Sequence, residues 1–191
     1  MNLPQRKRNR LPNYDYSENG AYFITICTEN RKCCLSDIEL IDIETQITLT
    51  GKGQIVERFV REIPIKYPTV SVDHYVIMPN HVHLLLRIER NGGTGNPSPT
   101  EVRGTGDPSP TEVCGRGKPS PTVGNIIGWF KYQTTKAVNE AAQKKASLWQ
   151  RSYYDHVLRD QNDYLVRWAY IDGNPSRWAE DEYFPAMGGQ V

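Results

Sequence analysis

Three copies of the pattern G-[NDK]-P-S-P-T, spaced 11 residues apart, interrupt the chain near its midpoint at Gly95, Gly106 and Gly117. Each copy sets two prolines around a serine. Proline removes a backbone donor and fixes φ, and the flanking glycines weaken helix and strand alike. An 11-residue period can mark a right-handed coiled coil, but a proline pair in every unit excludes one. Residues 91–123 are therefore expected to be a disordered or polyproline-II-like insertion, with charges that cancel and no chemistry of their own. The core must come from the segments on either side. Of the 191 residues, 158 remain for it, enough for one domain.

Those flanking segments alternate strand and helix signals. Residues 21–28 (AYFITICT) are β-branched and aromatic and follow a turn-like Ser17-Glu18-Asn19-Gly20, which predicts a strand. Residues 51–67 carry Ile55, Phe59, Val60 and Ile63 at helical spacing, with Pro64 and Pro68 as stops. Residues 70–78 and 81–89 read as two strands joined by the tight Pro79-Asn80 breaker and hence antiparallel. Beyond the insertion, 124–146 reads as a helix, 148–158 as strand or irregular chain, and 160–173 as a last helix closed by Gly173-Asn174-Pro175. The order β-α-β-β-α-β-α is that of an α+β fold, a ferredoxin-like split βαβ antiparallel sheet with helices on one face. The expected layout is a basic arm (1–20), one domain (21–90 and 124–181), the insertion (91–123) and a tail (182–191).

Composition narrows the function classes. The apolar fraction is 38% and no run approaches the roughly 18–20 apolar residues that span a bilayer. The basic N-terminus leads into no apolar h-region, so a cytoplasmic protein with no membrane partner is the expectation. Cys27, Cys33, Cys34 and Cys114 show no C-x-x-C spacing, which argues against a zinc ribbon or a disulfide scaffold. The net charge of +1 hides segregation: +4 in residues 1–10, −3 in 36–62 and +3 in 124–160. Such clustering suits a surface with one anionic partner, or simply separate solvated faces.

Two constellations can carry chemistry. On a strand, His81 and His83 face one side while Val82, Leu84, Leu86 and Ile88 face the other, toward the helices. Neutral imidazole is a common metal ligand, so the pair can converge on one cation, although two ligands do not close a site and H-x-H also arises on any polar sheet face. In the last helix, Tyr170 and Asn174 lie one turn apart and share a face. That places a potential nucleophile beside a potential third ligand; a core tyrosine and an ordinary helix end before Pro175 would look the same.

Several segments together resemble a known family. Arg10-Leu11-Pro12 with Tyr14-Asp15-Tyr16, Tyr22 to Thr28, and Val76-Ile77-Met78-Pro79-Asn80-His81-Val82-His83-Leu84-Leu85 are similar to the IS-200-like transposases, and more narrowly to the REP-associated tyrosine transposases. Phe130-Lys131, Trp149 to His156, and Tyr164 through Tyr170-Ile171 to Asn174-Pro175 extend the likeness over nearly the whole body. The specific element is M-P-N-H-V-H followed far downstream by Y-I-x-x-N-P.

The resemblance implies an HUH-type endonuclease fold and single-stranded DNA cleavage and joining. It places a divalent cation, Mg²⁺ or Mn²⁺, on His81 and His83, makes Tyr170 the nucleophile, and puts Asn174, shorter than the glutamine some relatives have, at the position completing the metal site. The intermediate would be a 5′-phosphotyrosine with a free 3′-hydroxyl, needing no nucleotide cofactor. The partner implied is single-stranded DNA carrying short imperfect hairpins, handled by a monomer or homodimer near the nucleoid. Arg6, Lys7, Arg8 and Arg10 are the candidate phosphate clamp. Lys131 beside Phe130 and Tyr132, and Arg151 beside Trp149, interleave charge with aromatic surface that can stack bases or fill the core. A barrel amidohydrolase, which also uses H-x-H, needs about 200–250 residues and more ligands than four histidines allow. The alternative is a catalytically weak hairpin-binding protein that keeps the fold.

Overall fold

The computed structural model describes residues 19–42, 44–89 and 121–185. The basic arm with Arg6, Lys7, Arg8 and Arg10, the repeats with Cys114, and residues 186–191 lie outside the described residues. Strands β1 (Gly20–Cys27), β2 (Ser36–Ile41), β3 (Glu44–Leu49), β4 (Val70–Ile77), β5 (His81–Ile88) and β6 (Tyr154–Leu158) alternate with helices α1 (Gly51–Lys66), α2 (Val123–Ala142) and α3 (Gln161–Gly173). The main sheet has the order β4-β5-β1-β6, with every neighbouring pair antiparallel. Thus β1 and β4 run parallel, split by β5, and α1 crosses between them: the expected ferredoxin-like arrangement. Among the described residues no helix is long and apolar enough to cross a membrane.

Strand parity sorts the sheet into two faces. Tyr22, Ile24 and Ile26 of β1 and Val82, Leu84, Leu86 and Ile88 of β5 are fully buried in one cluster with Val56, Phe59, Val60 and Ile63 of α1 and Ile126, Ile127 and Phe130 of α2. The opposite face carries Phe23, Leu85, Val76 and Leu158, and is covered by Ile171 and Trp168 of α3, by Trp178, and by Ile38 and Ile47 of the β2–β3 hairpin. The crossover helices α1 and α2 thus share one face, as the split βαβ order requires, and α3 lies across the other. A bulge between Val72 and His74 resets the parity of β4. It lets Asp73 and His74 both reach α3: Asp73 Oδ2 accepts from the Tyr164 hydroxyl at 3.0 Å, and His74 Nε2 lies 2.7 Å from Asp172 Oδ1.

The ends of the elements have local causes. The Thr50 side chain caps α1 by accepting from Gly53 N, and the Thr122 side chain caps α2 by accepting from Asn125 N. Pro64 does not stop α1, which runs on to Lys66. In the last turn proline forfeits only its own bond, and Tyr67 N still donates to Ile63 O at 2.9 Å. Helix α2 ends at Ala142, short of the expected 146, because Gln143 turns left-handed at φ 50° and the Asn139 side chain bonds Ala146 N and O. Helix α3 buries only Ile171. Its position therefore depends on polar pairs from both edges of the sheet: His74 with Asp172, and His156 Nε2 at 2.8 Å from Asp163 Oδ2.

Candidate metal and nucleophile site

His81 and His83 emerge from β5 on the α3 face, as strand parity requires, and both are fully buried. Their Nε2 atoms lie 3.0 Å apart. The register pairs His83 with Thr25 of β1, which puts Thr25 Oγ1 2.9 Å from His83 Nδ1. Asn80 Oδ1 stands 2.9 Å from His81 Nδ1. Burial, with the Arg31 charge beside it, pushes His81 down to about 3. Burial first, then His81 and Arg167, holds His83 well below the ordinary imidazole range. Both rings are thus neutral near pH 7, the state that ligates a metal.

Helix α3 brings Tyr170 against this pair. Its ring centroid is 5.3 Å from that of His83, and both rings pack on Phe23, at 5.8 and 5.1 Å. The Tyr170 phenol is pushed above its ordinary value by burial and then by the Asp181 carboxylate, while a hydrogen bond from the Asn174 side chain opposes the rise. Asn174 caps α3, 4% exposed, and its Oδ1 has no hydrogen-bond partner among the described residues. A buried amide oxygen left unpaired costs about 1–3 kcal/mol, so it invites a ligand. Tyr170, with the Asn174 side chain bonded to it, therefore stands against the histidine pair.

The structure adds Asp181, which the sequence analysis did not single out. One carboxylate oxygen of Asp181 and one nitrogen of each histidine lie within 4.8 Å of one another. Tyr183 N donates to Asp181 Oδ1 at 2.7 Å, and the Tyr183 ring packs 4.7 Å from that of His81. Two neutral imidazoles and a carboxylate make a donor set that fits a divalent cation, and the Asn174 amide oxygen, beside Tyr170, is without a hydrogen-bond partner among the described residues. The only sequence signal for Asp181 is its place in the acidic run Glu180-Asp181-Glu182 beyond α3, and many acids would satisfy that.

Lys131 and Arg151 stand elsewhere, on the α2 side, lining a cavity of about 390 Å³ with Tyr132 and Trp149. The Lys131 ammonium donates to the carbonyls of Gln150 and Arg151, the latter at 3.0 Å, and burial lowers its pKa. Phe130 and Trp149 are buried, so the stacking reading fails for both; Trp149 Nε1 donates to Thr134 Oγ1 at 2.7 Å inside the core. Tyr132, 65% exposed, is the aromatic of that group in solvent.

No protein-family model matches the chain. A protein of Haemophilus influenzae, itself uncharacterized, is 36% identical over 186 residues, spanning 95% of this chain and 94% of its own. Among solved structures, a REP-associated tyrosine transposase bound to a REP hairpin superposes with a TM-score of 0.56 at 17% identity, covering 94% of this chain and 77% of that one. A putative transposase from Deinococcus radiodurans R1 gives a TM-score of 0.41 at 15% identity over 86% of this chain and 95% of its own.

Proposed function

The chain belongs to the same family as the Haemophilus influenzae protein and has the fold of a REP-associated tyrosine transposase, and on that premise we propose that it is a metal-dependent single-stranded DNA endonuclease and strand transferase. Its substrate on this reading is DNA bearing short hairpins, the kind of ligand held by the transposase of like fold. The observation that carries the reading is the packing of Tyr170 against the His81–His83 pair, with the Asp181 carboxylate beside the two imidazoles.

Each residue has a role its chemistry suits. His81, His83, Asp181 and Asn174 would hold Mg²⁺ or Mn²⁺, which when bound polarises the scissile phosphate and offsets charge on its oxygens. Tyr170 is the nucleophile. Its phenol, raised by burial, keeps its proton near neutral pH in the metal-free protein, so attack requires that proton to leave. As the Oη–P bond forms, the bond from phosphorus to the 3′-oxygen breaks, and the phenolic proton is balanced by the one the departing 3′-oxygen takes up. One phosphodiester replaces another, so a second 3′-hydroxyl reverses the step without ATP. Helix α3, held from both sheet edges by His74 with Asp172 and His156 with Asp163, sets where the phenol points.

Cleavage of an end-labelled hairpin oligonucleotide tests this reading. Single-stranded DNA should be nicked in Mn²⁺ and left whole in EDTA. Equal cutting of the fully duplexed sequence, or cutting that survives EDTA, rejects it.

A further inference from the structure

Asn80 precedes the histidine pair, is wholly buried, and has no place in the ligand set. Its Nδ2 donates to Tyr183 O at 2.7 Å and to Arg31 O at 3.2 Å. Backbone carbonyls only accept, so the amide has a single orientation, with Oδ1 turned to His81 Nδ1 at 2.9 Å. An amide oxygen also only accepts. The proton of the neutral His81 ring therefore sits on Nδ1, and its Nε2 carries a lone pair into the site. His83 differs, because its Nδ1 faces a threonine hydroxyl that can donate or accept. Its Nε2 is 3.0 Å from the His81 Nε2 lone pair. That contact is a hydrogen bond only if His83 carries its own proton on Nε2, with Thr25 Oγ1 donating to Nδ1.

We propose that Asn80 is a positioning residue that locks His81 in the ligand-ready Nδ1–H tautomer, while His83 becomes a ligand only by exchanging its Nε2 proton for one on Nδ1. In that exchange Thr25 Oγ1 turns from donor to acceptor. One proton leaves the ring and one arrives, so the switch at His83 releases none. Asn80 also grips the turn that carries Asp181, since the carbonyl it holds belongs to Tyr183, whose N–H is bonded to Asp181 Oδ1. One amide thereby orients a histidine and anchors the segment of a third candidate ligand. The His81 half stands on these hydrogen bonds and on the burial that keeps the ring neutral; the His83 half rests on the metal reading above.

Long-range ¹H–¹⁵N NMR of the ¹⁵N-histidine-labelled, metal-free protein tests both halves. The expected spectrum shows His81 as Nδ1–H and His83 as Nε2–H. Mg²⁺ should convert His83 to Nδ1–H and leave the protonation pattern of His81 unchanged. Asn80→Ala should lose the single His81 tautomer and weaken Mn²⁺ binding about 10–100-fold, read from the EPR signal of free Mn²⁺. An Nε2–H proton on His81 in the metal-free wild type overturns the inference, as does Mn²⁺ binding by Asn80→Ala equal to wild type. If the wild type binds no Mn²⁺, the metal reading and the His83 switch both fall, and the metal-free spectrum alone decides the Asn80 half.

Discussion

Replacing Gly53 by alanine should destabilise the protein, although glycine to alanine inside a helix ordinarily stabilises by about 0.5–1 kcal/mol. Gly53 is buried in the first turns of α1, and a Cβ built there meets Leu35 O at 2.0 Å and Leu35 C at 3.0 Å, where ordinary contact begins at 3.4 Å. One of the two backbones must give by more than an ångström. Leu35 O cannot move freely, because it accepts from Thr50 N at 2.9 Å and from Thr50 Oγ1 at 3.0 Å. Losing both bonds costs about 0.5–1.5 kcal/mol each, and overpacking adds about 1–3 kcal/mol. Against these stands a helix-propensity gain of about 1 kcal/mol. The net loss is about 1–5 kcal/mol, or roughly 2–20 °C in Tm for a domain of this size.

Gly128 supplies the control within the same fold. It is exposed on α2, and a Cβ there meets nothing within 4 Å. Gly128→Ala should therefore stabilise by about 0.5–1 kcal/mol. Urea denaturation followed by far-UV circular dichroism reads both variants, with unchanged m-values as the two-state check. The strain should also reach the site, because Cys34 N and Leu35 N both donate to Pro79 O, at 2.8 and 3.0 Å, one residue before Asn80. Mn²⁺ affinity is expected to fall in Gly53→Ala and not in Gly128→Ala. A Gly53→Ala protein as stable as wild type, or a Gly128→Ala protein equally weakened, would refute the steric argument.

Thr25→Val keeps the shape of a buried side chain but leaves His83 Nδ1 unpaired; stability should drop by about 1–3 kcal/mol in urea titration, and Thr25→Ser should recover most of it. Acid should weaken the metal-free protein through its histidines, because the unfolded chain takes up a proton at His81 below pH 6.5 whereas the folded ring resists to about 3. Stability is therefore full above that window and falls as pH drops through it, by up to about 1.4 kcal/mol per pH unit for each buried histidine. His83, lowered by the same burial, adds in the same direction. Urea midpoints compared at pH 7.5 and 5.5 check this, and a slope unaffected by His81→Gln would show that the histidine is not its source.

How much the sequence reveals depends on how each signal is encoded. The β-branched and aromatic runs GAYFITIC and HVHLLLRI make β1 and β5 readable, and strand parity fixes which face the histidines take. The helical spacing of Tyr170 and Asn174 likewise survives folding, since α3 runs unbroken to Gly173. The β2–β3 hairpin leaves little trace in the sequence because little of it is inward: Ile38 and Ile47 pack on the core, whereas Leu40 is 73% exposed and acids fill the gaps. The bulge at Val72/His74 has no one-residue signature, yet it decides that Asp73 and His74 both meet α3. Phe130 and Trp149 read sooner as core than as stacking platform, and their burial agrees. Asp181 is a ligand candidate through a tertiary contact, which local pattern does not encode.

The central claim is that Tyr170 attacks DNA from beside the His81–His83 pair. Intact-mass spectrometry of the protein after incubation with Mn²⁺ and a single-stranded hairpin oligonucleotide tests it most directly. Wild type should gain the mass of the 3′ fragment as a 5′-phosphotyrosine adduct that maps to the peptide containing Tyr170, and Tyr170→Phe should gain none. An adduct that persists in Tyr170→Phe, or that maps to another residue, would contradict the account.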